Sequence, residues 1–436
     1  MDMAQRKYNE ALEVIGLLEG AGFEARMAGG CVRDRLIGAE PQDYDVATNA
    51  APDQVAKVAE HARIKVVPTG FEHGTMTLVM PSGPVEVTTL RIDLETYGRH
   101  ATVSLGTDFK GDAARRDFTM NAMFEDRNGV IHDYFGGQDD LRKRTLRFVG
   151  DPVTRIQEDY LRIMRLFRFW ARFDFDPAPG TLEAVQATKD GLLQISQERI
   201  TYELRRIFTC PVLHKILAAM NLTGVLPVIL PELGPGGFTL PDNRVLKELA
   251  AVGAASERFI CALALLGAGN NIDSPDQMKD LGTRLRLSRA EIRKACLLIT
   301  LERNLPAPDA PQSKVMALLD HSDDIFALPD SWSRVVKGYL KTLAVWRGGA
   351  AEKSMLAALS RIDVIEAKKS HLRKAELAVS VPEIMQMFQL KPGPEIGALV
   401  EDFRSAFRNE EWFSKPDGLV WLKKHVEKLH LEKKKT

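Results

Sequence analysis

The spacing of apolar and polar positions changes character near residue 150. Before it, short alternating runs bounded by Gly and Pro predict strands mixed with helices. Beyond it, helical periodicity broken by Pro/Gly clusters predicts helices alone. Met1–Leu18 is an amphipathic helix with charges throughout, unlike a signal peptide. Glu24–Met27 reads as a strand, Gly29-Gly30 as a tight turn, and Val32–Ile37 as a short helix ended by Gly38. Pro41 keeps the chain extended into a strand holding Asp43-Tyr44-Asp45-Val46. Lys65–Val67, Gly74–Met80 and Val85–Leu90 read as strands, the last two joined into a hairpin by Pro81-Ser82-Gly83-Pro84. Arg91–Gly111 has no apolar period and reads as a long mobile loop. Asp117 is placed to cap a helix over Phe118–Phe124. Thr154–Phe173 predicts one amphipathic helix that buries Ile156, Tyr160, Ile163, Met164, Phe167 and Trp170. Pro231–Pro241 and Pro306–Gln312 read as linkers, and Glu432–Thr436 as a frayed charged end.

Composition narrows the class. With 436 residues the chain is long enough for about three domains. Formal net charge is zero, so any surface for nucleic acid must be a local basic one. The four cysteines, Cys31, Cys210, Cys261 and Cys296, are far apart and form no Cys-x-x-Cys, which argues against zinc and for a reducing compartment. The longest apolar run, Phe259–Gly267, is too short to span a bilayer. These features together predict a cytoplasmic protein with no membrane association.

Candidate chemistry begins at the Gly29-Gly30 turn, where backbone N–H groups can meet a phosphate with no Cβ in the way. Asp43 and Asp45 follow. Two apart on a strand, they share a face with Cα atoms about 6.6 Å apart. An isolated Asp-x-Asp is usually a polar turn, but beside a phosphate cradle it reads as a pair of Mg²⁺ ligands, since Mg²⁺ takes carboxylate and phosphate oxygens together. Glu86, among β-branched residues in Val85-Glu86-Val87, is either a third acid of this site or a solvent-facing strand residue. His73 reads as a loop residue, and the isolated His132-Asp133 pair lacks the further ligands of a phosphohydrolase.

Two further motifs carry side chains suited to a nucleotide. In Arg115-Arg116-Asp117-Phe118-Thr119-Met120-Asn121-Ala122-Met123, Asp117 can accept from a ribose 2′-hydroxyl and Arg116 can fork onto phosphate or ribose oxygens. On the predicted helix, Asp159, Arg162, Arg165 and Arg168 recur every third residue along one edge. Ordinary ion pairs at that spacing are worth a few tenths of a kcal/mol, ~0.3. A specific reading has a chemical basis. Cytosine and adenine both show an amino donor beside a ring-nitrogen acceptor. Asp159 could accept from the first while Arg162 donates to the second. Guanine and uracil present the reverse order and would be refused, at about 1–3 kcal/mol per bidentate contact. CTP and ATP would enter; GTP and UTP would not. Arg165 and Arg168 would then lie near triphosphate or base.

The combination of Gly-Gly-x-x-Arg-Asp with Asp-x-Asp, Arg-Arg-Asp-Phe-Thr-Met-Asn-Ala, Gly150-Asp151-Pro152 leading to Glu-Asp-x-x-Arg, and Glu198-Arg199-Ile200 resembles the class II CCA-adding enzymes of the tRNA nucleotidyltransferase and poly(A) polymerase family. The resemblance is tight over about residues 22–210. It implies an α+β fold: a polymerase-beta-like nucleotidyltransferase head (a small mixed sheet with helices), then an all-α neck, body and tail. Residues 1–140 would be the head, 141–210 the neck with a nucleotide-base template, and 211–436 the body and tail that bind tRNA. Gly30, Arg33, Arg116, Asp159, Arg162, Arg165 and Arg168 match nucleotide-binding positions of the family, and Asp43 and Asp45 match its Mg²⁺ ligands. Glu198–Arg206 matches the helix that buttresses the base-reading helix. The implied reaction adds C, C and A to tRNA 3′ ends from CTP and ATP, with the acceptor stem as the bound element. A poly(A) polymerase of the same family would look to carry a basic Gly-Arg-Arg-Phe-like stretch after the metal motif; Val66–Phe71 has none. The same motifs would serve an enzyme that adds only CC or only A. An RNA-binding relative without catalysis would have no need of both metal aspartates and the template pair. Leu390–Gly397 looks like a C-terminal family segment or a simple helix start, and Lys423, Lys424 and Lys428 are candidates for RNA contact.

Overall fold

A computed structural model of the chain describes residues 2–70, 74–97, 100–105, 108–234, 239–303, 331–347 and 381–388, with 393, 396, 399, 419–424 and 426. It divides into two compact units, Met1–Thr300 and Leu301–Thr436. The expectations for His73, Pro306–Gln312, most of Leu390–Gly397, Lys428 and the last residues lie outside what is described.

The first unit opens with α1 (Met3–Gly20), whose N-cap Asp2 accepts from the Gln5 N–H and whose Ala11, Val14, Ile15 and Leu18 are buried. Then come β1 (Ala25–Ala28), α2 (Gly30–Leu36), β2 (Asp45–Thr48), α3 (Pro52–His61), β3 (Lys65–Gly70), β4 (Thr75–Met80) and β5 (Gly83–Thr89). β8 (Met123–Glu125) and β9 (Ile131–Asp133) complete a seven-stranded sheet in the order β3-β4-β5-β2-β1-β8-β9. The sheet is mixed: β2 and β5 run parallel, their neighbours antiparallel. The β4–β5 hairpin turns at Pro81-Ser82, with Met80 paired to Gly83. α1 packs against β1, β2, β5 and α3.

Three sequence expectations fail here. Arg91–Gly111 is not a structureless loop. It holds an antiparallel hairpin, β6 (Arg91–Tyr97) with β7 (His100–Leu105), and leads into α4 (Phe109–Ala114). The register shifts between Asp93 and Glu95, and such a bulge breaks the side-chain alternation that marks a strand. Phe118–Phe124 is not an α-helix: one 3₁₀ turn, Thr119–Asn121, gives way to β8, because Phe124 and Glu125 pair onto Ala28 and Met27. That long-range ladder overrides local helix propensity. Thr154–Phe173 is two helices, α6 (Pro152–Glu158) and α7 (Leu161–Phe173). Asp159 between them is extended (φ −152°, ψ 103°). Its Oδ1 accepts from the Leu161 N–H at 3.1 Å, and Tyr160, half-buried, lies where a Cβ on Gly191 would sit 2.1 Å from its ring.

α5 (Gly137–Arg142) and a two-residue parallel pairing of β10 (Thr145–Leu146) with β11 (Asp176–Pro177) join the sheet region to the helices. α7 is amphipathic as expected, burying Ile163, Met164, Phe167 and Trp170. Phe118 stacks on Phe148 (4.7 Å) and meets Phe169 of α7 edge-on (5.4 Å), which fixes α7 against the sheet region. α8 (Thr181–Thr188) packs on α6, and α9 (Gln197–Ile207) lies along α7. Further helices, including the apolar Ala255–Gly269, complete the unit. In the second unit, Ile384, Leu399, Leu422 and Val426 form a small core, with Lys423 and Lys424 exposed beside it.

Candidate active site

Burial alternates along the chain into β2: Asp43 is exposed, Tyr44 buried, Asp45 exposed and Val46 buried. The two aspartates therefore share a face, although the strand proper begins only at Asp45. Glu86 is paired in register with Asp45 across the parallel β2–β5 ladder and is likewise exposed between buried Val85 and Val87. Three carboxylates thus lie toward one face of the sheet, on or leading into the adjacent interior strands β2 and β5. Although the residue keeps an open side, the protein packed around its carboxyl strips part of its solvation; that, and then the charges of Glu86 and Asp43, push Asp45 up to about 6, against a downward pull from Arg116. Like charges gathered this way favour a cation between them. Among the described residues no three His, Cys, Asp or Glu side chains enclose a metal by themselves.

Close by, linked to Asp45 through the charge of Arg116, is a cleft of about 420 Å³ that Asp43, Asp45 and Glu86 do not themselves line. It is lined by Gly29, Gly30, Arg33 and Arg116 from the sheet region and by Asp159, Leu161, Arg162, Arg165, Phe169 and Arg199 from the helices beyond. Gly29 has φ +71°, and a Cβ there would meet Arg116 Nη1 at 2.5 Å. The Gly29 N–H donates to the Met123 carbonyl at 3.0 Å, so the N–H groups that follow, at the first turn of α2, are the ones left for a phosphate. Arg33 is 4% exposed; its Nε donates to Asp34 at 2.8 Å and its Nη1 to Asn121 Oδ1 at 2.5 Å. Arg116 donates to Asp112 and to the Asn121 carbonyl. It lines the cleft and its charge reaches Asp45, so it links the two halves of the site.

Asp117 also lines the cleft, yet all of its acceptor capacity is engaged. Oδ1 accepts from the Phe118 N–H (2.8 Å) and Asn121 Nδ2 (3.1 Å); Oδ2 accepts from Arg165 Nε (2.7 Å) and Nη2. A carboxylate offers about four lone-pair sites. The expected acceptance from a ribose 2′-hydroxyl therefore has no free site here, and Asp117 serves to hold Arg165. Burial would raise the Asp117 carboxyl, but the Arg165 charge and the hydrogen bonds from Asn121, Arg165 and Phe118 hold it below the usual range.

Asp159 and Arg162 both face the cleft, but they are not partners. Asp159 Oδ2 accepts from Arg199 Nη2 of α9 at 2.8 Å. Arg162 donates through Nη1 to Glu158 and the Arg155 carbonyl, and through Nη2 to the Arg115 carbonyl. Each Asp159 oxygen keeps a lone pair, and Arg162 keeps its Nε–H and one Nη2–H. Arg168 alone of the expected nucleotide contacts does not line the cleft. It turns to Glu203 of α9 at 3.0 Å, in a buried pair where burial holds the Glu203 carboxyl above its ordinary range. The reading of single motifs missed Asn121, Leu161, Phe169 and Arg199 as lining residues. Asn121, Leu161 and Arg199 stood inside quoted motifs; Phe169 lay outside them, and no signal marked it.

Comparison with known proteins bears on this geometry. The family described as "Poly A polymerase head domain" matches residues 25–147, and "Probable RNA and SrmB-binding site of polymerase A" matches 174–235. The CCA-adding enzyme of Streptococcus gordonii is 39% identical over 402 residues, covering 92% of this chain and 93% of the relative. The mitochondrial CCA tRNA nucleotidyltransferase 1 of Danio rerio is 33% identical over 407 residues, covering 91% and 86%. The crystal structure of the Bacillus stearothermophilus CCA-adding enzyme in complex with CTP matches with a TM-score of 0.72 at 26% identity, over 99% of both chains. A chain that carries this cleft beside paired aspartates, and that matches these relatives nearly end to end, belongs to the CCA-adding tRNA nucleotidyltransferases.

Proposed function

We propose that this protein adds C, C and A to tRNA 3′ ends from CTP and ATP, without a nucleic-acid template, releasing pyrophosphate. The observation that carries this reading is the cleft that brings the Gly29-Gly30 turn, Arg116, Asp159 and Arg162 together. The tRNA 3′-hydroxyl attacks the α-phosphate in line and the pyrophosphate oxygen leaves. The N–H groups after Gly29 and the guanidiniums of Arg33 and Arg116 hold the triphosphate oxygens and orient them. Asp159 accepts from the amino group of the base while Arg162 donates to the ring nitrogen. Arg199 keeps Asp159 aimed, and Asp117 does the same for Arg165. Asp43 and Asp45, with Glu86 beside them, would hold Mg²⁺, which when bound activates the attacking hydroxyl and neutralises charge on the leaving group. No helix among the described residues is long and apolar enough to cross a membrane. The four cysteines are unpaired, which suits a reducing compartment, and we place the protein in the cytoplasm.

The test is extension of tRNA transcripts ending at the discriminator base, at C and at CC, with CTP and ATP, and sequencing of the products. Completion of CCA from all three is the expected result. Extension that stops at CC, or that starts only from CC, makes the enzyme a CC-adding or A-adding member of the family. Long A tails on a generic RNA make it a poly(A) polymerase. No extension with either Mg²⁺ or Mn²⁺ overturns the reading.

A further inference from the structure

We infer that α1 is a brace that sets the spacing of the site's carboxylates, acting through Lys7, Tyr8 and Glu10. Lys7 Nζ donates to the Gln42 carbonyl at 2.8 Å, one residue before Asp43. The Tyr8 ring lies 5.9 Å from the ring of Tyr44, the buried residue between the two aspartates. The Arg35 guanidinium covers the Tyr8 ring at 3.9 Å, and the Tyr8 hydroxyl donates to Glu125 Oε1 at 3.1 Å. Glu10 accepts from the Ser82 N–H at 3.1 Å and from the Ser82 hydroxyl at 2.9 Å. Ser82 is the turn that feeds β5, and Glu86 stands four residues beyond it.

One helix therefore grips the approach to Asp43 and the approach to Glu86. Both need a grip. Residues 39–44 belong to no helix or strand, so side-chain anchors decide where Asp43 sits. Asp45 and Glu86, in register on adjacent strands, repel one another, and like charges directly opposite are destabilising. Outer contacts that orient ligating carboxylates commonly control metal affinity by about 10–100-fold. Lys7, Tyr8 and Glu10, like the three acids, do not line the cleft; their contacts run to Gln42, Tyr44 and Ser82, on the approaches to Asp43 and Glu86. They are positioning residues.

This inference rests on the proposed binding of metal by Asp43 and Asp45, and the experiment separates the two. Mn²⁺ alone is titrated into the full chain, without nucleotide, and free Mn²⁺ is read by electron paramagnetic resonance. The proteins are the parent, Lys7→Met, Lys7→Arg, Glu10→Ala and Asp45→Asn. Lys7→Met and Glu10→Ala are each expected to weaken Mn²⁺ binding about tenfold. Lys7→Arg, which keeps a donor, is expected to restore most of it. In tRNA extension the same two variants lower kcat and leave KM for CTP near the parent value. Parent-like Mn²⁺ binding in both Lys7→Met and Glu10→Ala, with or without a lower melting temperature, overturns the brace. Parent-like binding in Asp45→Asn overturns the metal reading beneath it.

Discussion

Asp159 is held by Arg199 from a different helix, at 2.8 Å, while Arg162, its near neighbour in sequence, is held by Glu158. The proposed base reader is thus two independently anchored groups. Each is aimed by its own partner and each keeps spare hydrogen-bonding capacity toward the cleft.

Arg199→Ala should therefore act as a specificity mutation. With its partner gone, Asp159 can turn, and the discrimination of cytosine from uracil falls by about 1–3 kcal/mol. The check is the ratio of kcat/KM for CTP to that for UTP on a tRNA ending at the discriminator base. A parent-like ratio would exclude Arg199 from base selection.

Arg165→Ala strands the Asp117 carboxylate, which is 7% exposed. Breaking a buried pair from one side costs about 3–5 kcal/mol. Urea unfolding should show a loss of that order, and Arg165→Lys, lacking the fork that grips Oδ2, should recover only part of it.

The same pair makes stability pH-dependent. Asp117 has a folded pKa below its unfolded one, so its contribution is fully present above the ordinary aspartate value, about 3.9, and is lost as pH falls through the lower folded value. Thermal melts of the parent between neutral and strongly acidic pH should show this decline. In Arg165→Ala the decline should be shallower, because its chief cause has been removed.

Gly29→Ala would place a methyl group 2.5 Å from Arg116 Nη1 in a backbone conformation that L residues rarely adopt. Arg116 must move, and with it one cation of the cleft lining. A rise in KM for CTP of about tenfold, one weakened charge-assisted hydrogen bond, is expected from steady-state kinetics.

Asp45→Asn should separate stability from activity. Removing one of two in-register carboxylates relieves repulsion, so the melting temperature should hold or rise. Extension should fall by about two to three orders of magnitude, as when one charge-stabilising group is taken from a reacting centre. Both are read on the same preparation.

Much of the site was legible in linear order because its parts are local. A glycine pair, an Asp-x-Asp two residues apart and an Arg-Asp dipeptide are each defined by spacing, and eight of the nine expected nucleotide contacts line one cleft. Arg168 is the exception. Its helical phase matched Arg165, but α9 offers it Glu203, a partner that spacing along α7 cannot reveal. The break at Asp159 escaped for a related reason. The apolar period runs on through Tyr160, whose ring at the break packs against Gly191, thirty-one residues away.

By itself the sequence determined the mixed head, the helical remainder, the glycine turn and the acidic pair, since periodicity, Gly and Pro placement and short spacings are properties of neighbouring residues. Tertiary structure alone decided which charge answers which: Glu86 beside Asp45 through strand register, Arg199 on Asp159, Arg165 on Asp117. Ion pairs and strand partners are chosen by distance in space, and that distance exists only once the chain has folded.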